Sequence, residues 1–146
     1  MGQFRVGAAA VRVAAALCLA AASQAAAETL HCRFSGLSST TLIPPELTLE
    51  IEPGRVAVRD PVLLAANQAP MQGKPGDDSA ARRSFTWQTP LVKNTIQYPP
   101  LVRANFTLLV FHATQMAVIT YQRSERIYGT DGGEQTRAEG RCVADN

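Results

Sequence analysis

The chain has 146 residues, 14 Lys+Arg against 12 Asp+Glu, a formal net charge of +2 and 46% apolar residues. That length suits one domain, and the balance of charge and apolar content excludes a disordered chain. A surplus of two positive charges is also too small to mark a nucleic-acid binder.

The totals mix two unlike segments. Met1 to Arg12 carries Arg5 and Arg12 and no acid, and Val13 to Ala22 is an unbroken run of ten apolar residues. A membrane-spanning helix needs about 20 apolar residues, so the run is too short for a stable span. Ala25-Ala26-Ala27 then supplies small residues at the −3 and −1 positions before Glu28. Positive, apolar, small is the order of a secretory signal peptide, so residues 1–27 are expected to be removed, with Ala25 and Ala22 as neighbouring cleavage points. Cys18 follows the bulky Leu17 and sits within the apolar run, so it is read as part of the discarded peptide and not as a lipid anchor.

Cleavage leaves residues 28–146 as a single β-rich domain. It holds 12 basic and 12 acidic residues, because the surplus was Arg5 and Arg12. The expected location is the periplasm or the exterior. Two cysteines remain, Cys32 and Cys142, and in an oxidising compartment that count favours one disulfide. No CxxC or paired His accompanies them, so neither zinc nor redox catalysis is expected.

Leu30-His31-Cys32-Arg33-Phe34 alternates apolar and polar residues, and so does Thr136 to Cys142. Period-two alternation marks half-buried strands. A Cys32–Cys142 bridge would set the first and last strands side by side, as a closed sheet requires.

Leu47, Leu49 and Ile51 alternate with Glu46, Thr48, Glu50 and Glu52, Pro53-Gly54 breaks the run, and Val56 and Val58 resume it. This predicts a hairpin in which Ile51 faces Val56, Glu52 faces Arg55 and Thr48 faces Arg59. Asp60-Pro61 opens a short helix over 60–67, with Asp as N-cap and Pro at the first helical position. Ala69 to Ala81 is crowded with Pro, Gly and Asp and reads as an exposed loop.

Ser84 to Gln88 returns to strand character, and Thr95 to Tyr98 is a strand candidate before Pro99-Pro100. Arg103 to His112 and Met116 to Arg123 are the most apolar pieces. A three-residue turn at Ala113-Thr114-Gln115 would pair Val110 with Val118 and Leu109 with Ile119. Both faces of this hairpin are apolar, so one meets the core and the other needs a cover such as the helix, the long loop or a partner chain, a second copy through residues 103–123 included. Asp131-Gly132-Gly133 makes a turn between Arg126–Tyr128 and the last strand.

The fold expected is therefore all-β, a small antiparallel barrel or sandwich of seven or eight strands with one short helix. An exported chain of this size, β-patterned and bridged from first strand to last, resembles the small periplasmic barrels of Gram-negative bacteria, among them lysozyme inhibitors and protease inhibitors. The resemblance is one of architecture. It implies a periplasmic inhibitor of a hydrolase as one function, and it carries over no inhibitory residue.

Catalytic signatures are sparse. His31 and His112 are the two histidines. A hydrolase using His112 with a nearby Ser or Asp is one alternative, but GxSxG is absent. Asp77-Asp78 lacks the ligand spacing of a calcium loop, Gly73-Lys74-Pro75-Gly76 lacks the frame of a phosphate loop, and Asn105-Phe106-Thr107 is a sequon inside an apolar strand. No cofactor or metal is called for. The leading expectation is a non-enzymatic binding module for a protein or a small apolar ligand, with Leu108, Val110, His112, Met116 and Val118 as the candidate binding face.

Overall fold

The computed structural model describes residues 27–39, 41–65, 68–90, 103–123 and 135–145. Eight strands, β1 (Glu28–Phe34), β2 (Glu46–Glu52), β3 (Arg55–Arg59), β4 (Met71–Asp78), β5 (Arg82–Gln88), β6 (Ala104–Phe111), β7 (Met116–Arg123) and β8 (Arg137–Ala144), follow one another around a closed antiparallel barrel, with a short helix α1 (Pro61–Ala65) between β3 and β4. Residues 1–26 of the expected signal peptide, the strand expected over Thr95 to Tyr98, and the Arg126–Tyr128 segment with the turn expected at Asp131-Gly132-Gly133 lie outside the described residues.

The seam between β1 and β8 closes the ring. Cys32 lies directly opposite Cys142, and the two form the expected disulfide with their Cα atoms 4.0 Å apart. The β2–β3 hairpin has the expected register: Ile51 faces Val56, Glu52 faces Arg55 and Thr48 faces Arg59. Gly54 takes φ 74° at the turn, a conformation that costs a residue with a Cβ about 1–2 kcal/mol. α1 begins as its sequence requires. The Asp60 Oδ1 accepts from the Val62 N–H at 2.8 Å, and its backbone carbonyl accepts from the Leu64 N–H. Burial pushes the Asp60 carboxyl above its usual range, opposed by the amides of Val62 and Leu63.

Two local expectations are corrected. Residues 71–78 are a strand, not a loop. Gly73 turns inward beside Val56 and Val58, and a Cβ there would meet the Thr86 carbonyl oxygen at 3.2 Å. Pro75 is tolerated because β4 pairs with β3 only through Gly73, and beyond that point it pairs with β5 alone, across a bulge. The β6–β7 register is also displaced by one residue: Val110 faces Ala117 and Leu109 faces Val118. The connection holds four residues, 112–115. The Gln115 N–H donates to the Phe111 carbonyl, and Gln115 takes φ 57°. A one-residue displacement exchanges faces, so Val118 turns outward instead of joining Val110.

Inward side chains from all eight strands form one buried cluster. An eight-stranded barrel is just wide enough to be filled in this way. Trp87, Phe106 and Tyr121 face one another across β5, β6 and β7. Trp87 stacks on Phe106 with centroids 5.4 Å apart, and Phe106 lies 5.3 Å from Tyr121. Each such pair contributes about 0.5–1.5 kcal/mol beyond burial. At the rim where β1 and β3 end, Ile43 and Leu63 of α1 enter the cluster, and the Tyr121 hydroxyl accepts from the Leu42 N–H at 3.3 Å. Gln135 holds the covering segment through the Ser38 N–H and the Gly36 carbonyl.

The opposite rim is closed by an ion pair. Glu28 and Arg83 lie in phase with the buried residues of β1 and β5, so both point inward from strands that are not neighbours. The guanidinium donates to both carboxylate oxygens at 2.6 and 2.7 Å, and its Cζ lies 5.7 Å from the Phe85 ring centroid. The Arg83 hydrogen bonds hold the Glu28 carboxyl below the usual range, against the opposing effect of burial. A depressed carboxylate pKa contributes stability that is fully present above the unfolded value of about 4.3 and is lost as pH falls through the folded value. The Glu28 side chain keeps 35% of its exposure, so screening places the pair between surface and buried cases, at about 1 kcal/mol. Urea unfolding should find Glu28→Gln less stable than the parent by that amount at pH 7, with the difference shrinking as pH falls below about 4.3. A difference unchanged on acidification would show that packing, not charge, is what the substitution removes.

Candidate functional site

The candidate face named from the sequence does not form one surface. Leu108 and Val110 point into the core, with 0% and 5% exposure, because they share a face with Phe106. Val118 points outward and is half-buried, and Met116 stands exposed at the start of β7. His112 lies in the four-residue connection, its Nε2 3.4 Å from Asp78 Oδ1. Cys32 and Cys142 are consumed in the seam.

The outer wall of that seam is where polar groups converge. Because Cys32 faces Cys142, the antiparallel register sets Arg33 directly opposite Arg141 and His31 directly opposite Val143. The row continues on both sides, with Met116 facing Arg141 from β7 and Glu46 facing Arg33 from β2. Like charges placed directly opposite one another on a sheet are destabilising. Arg33 partly offsets this through one nitrogen, 3.2 Å from Glu46, between two exposed side chains. Arg141 donates to the Thr114 carbonyl at 3.3 Å and has no carboxylate partner among the described residues. The nearby Glu139 contacts Arg137 instead.

His31 occupies the next position along. Its Nε2 lies 2.8 Å from Asp145 Oδ2, and its Nδ1 lies 3.2 Å from Thr48 Oγ1. Carboxylate, imidazole and hydroxyl thus lie in a line, the residue types of a nucleophilic triad. Thr48 sits mid-strand, paired with His31 on one side and Arg59 on the other, so the amides around its hydroxyl serve the ladder. An oxyanion needs free donors aimed at it. The His31 contacts therefore tie the C-terminal residues to β1, aided by the Asp145 N–H donating to the Thr29 carbonyl.

A groove of about 590 Å³ runs along this wall between His31, Arg33, Phe34, Arg141, Val143 and Asp145. A second, of about 480 Å³, lies on the other side of Arg141, against Thr114, Met116 and Glu139. Val143 and Met116 are exposed large hydrophobic residues, 49% and 43% open to solvent, and they flank the arginines. The polarity of this wall is the reverse of a membrane-spanning barrel, whose apolar side faces outward.

The outward positions of His31, Arg33 and Arg141 are legible from alternation alone. Their juxtaposition follows only once the cysteines are known to be directly opposed. The Glu28–Arg83 pair has no sequence signal, since it joins strands on different sides of the ring.

Among the described residues no cluster of His, Cys, Asp or Glu is arranged to hold a metal ion. No protein-family model, no curated protein and no solved structure matches this chain.

Proposed function

We propose that this protein is an exported, non-enzymatic binding domain of the cell envelope that engages a protein partner through its outer wall at β1 and β8. The observation that carries the reading is the filled interior. Side chains from all eight strands occupy it, Ile43 and Leu63 join them at one rim, and Glu28–Arg83 spans the other. A small apolar ligand would have to displace this core, at about 25 cal/mol for each Å² of apolar surface returned to water. A partner on the outer wall displaces only solvent. The Cys32–Cys142 disulfide is compatible with an oxidising compartment.

Site-specific photo-crosslinking tests this in cells that produce the full chain. A photoreactive side chain at Val143, in the wall, should yield one discrete adduct of defined mass. The same group at Gln72, an exposed position on β4, should not. Absence of an adduct at Val143, or equal adducts at both positions, overturns the reading.

A further inference from the structure

We propose that the β1–β8 wall recognises an acidic segment of a protein partner, with its carboxylates meeting Arg33 and Arg141 and its apolar residues seated on Val143 and Met116. The proposal rests on the binding reading and deepens it.

Three independent observations support it. First, Arg33 and Arg141 are directly opposed across the seam, a placement of like charges that destabilises the isolated barrel. A carboxylate between them converts that repulsion into two charge-assisted hydrogen-bonding contacts. Second, the local acids are already engaged: Asp145 with His31, Glu139 with Arg137, and Glu46 with Arg33 alone. Arg141 is left facing two grooves with no acid of its own among the described residues. Third, Val143 and Met116 are exposed on either side of the pair, although an outward position on a solvated barrel favours polar residues. Arginine and methionine beside exposed apolar side chains, with acids committed elsewhere, match the composition of interface cores.

Fluorescein-labelled decapeptides provide the probe: one composed of Glu and Leu, one with each Glu replaced by Gln, and one with each replaced by Lys. Titrated against the disulfide-bonded protein, the Glu peptide should bind at least tenfold more tightly than the Gln peptide, and the Lys peptide should not bind. Raising salt from about 50 to 500 mM should weaken the Glu peptide severalfold, as screening of exposed charges requires. Arg33→Glu and Arg141→Glu should each weaken it at least tenfold. Arg33→Gln and Arg141→Gln, which introduce no new charge into the seam, should do so by a smaller factor, and Arg55→Glu at the far turn should leave it unchanged.

Equal affinity for the Glu and Gln peptides, no binding of either, or full binding by the arginine variants overturns the proposal. So does arginine-dependent binding to phosphatidylglycerol vesicles without binding to the Glu peptide, which assigns the wall to a membrane surface. A Val143 adduct in cells combined with failure of the Glu peptide refutes the acidic partner alone. Loss of the adduct refutes the binding reading itself.

Discussion

Replacing both Cys32 and Cys142 by Ala should lower the free energy of unfolding by about 4–5 kcal/mol. The residues are 110 apart in sequence, and the entropy of closing so long a loop in the unfolded chain sets that magnitude. Small domains are stable by only about 5–15 kcal/mol, so the change removes a large part of the total. The bridge also closes the seam of the barrel, where β1 meets β8. Without it the β1–β8 ladder must form with no covalent help, after every intervening strand is in place. Urea unfolding of oxidised parent and Ala/Ala variant at pH 7 measures the effect directly. With a slope of about 1.5 kcal/mol per molar, the midpoint should fall by about 3 M. A fall of less than about 0.5 M would mean that the ladder holds the seam unaided. The slope itself should rise, since an unbridged unfolded chain exposes more surface.

Gly140→Ala should cost about 2–3 kcal/mol, although a glycine-to-alanine change in a compatible strand is ordinarily neutral or stabilising by about 0.4–1 kcal/mol. Gly140 faces Phe34 across the seam and Ala117 on the other side. A Cβ there would collide with the Arg33 carbonyl oxygen and meet the Phe34 ring at 2.7 Å. The first of these is backbone, and it cannot retreat without opening the β1–β8 ladder. The ring is part of the buried cluster, so it has little room to turn. Gly54 provides the contrast. Its surroundings are open, and its φ of 74° makes Gly54→Ala a matter of backbone strain, at about 1 kcal/mol. Thermal unfolding of the two variants should therefore rank Gly140→Ala well below Gly54→Ala. The reverse order would show that the β1–β8 approach is looser than its geometry implies.

The same geometry connects stability to the proposed surface. Gly140, Arg33 and Arg141 belong to one short stretch of the seam, and Gly140 also lines both grooves. Ala at position 140 should thus disturb the arginine pair together with the fold. Arg141→Gln, which changes only an exposed side chain, should leave stability within about 0.5 kcal/mol of the parent.

How much of this was legible depended on the range of the interaction. The β2–β3 hairpin was readable to the residue because Leu47, Leu49 and Ile51 alternate up to Pro53-Gly54, and a tight turn fixes register locally. The β6–β7 register differs by one residue from the one the sequence suggests because its turn contains no Gly or Pro to locate the left-handed position. Gln115 takes that position, which residue preference does not indicate. β4 was hidden because Gly73, Pro75 and Gly76 are loop residues by preference. They become strand residues only through β5 beside them and the valines of β3 above Gly73.

By itself the sequence determined the all-β class, the first and last strands, the helix start at Asp60 and the disulfide partners. These rest on period-two alternation, on one good N-cap and on a count of two cysteines, all of which are properties of short stretches or of the whole. Only the tertiary structure decided that the ring closes strand by strand, that Glu28 reaches Arg83 across it, that Leu108 and Val110 belong to the core, and that two arginines stand face to face on its seam. Each of those depends on register between segments distant along the chain. Moving a strand by one residue turns every side chain to the other face, so surface and core change places with no change in composition.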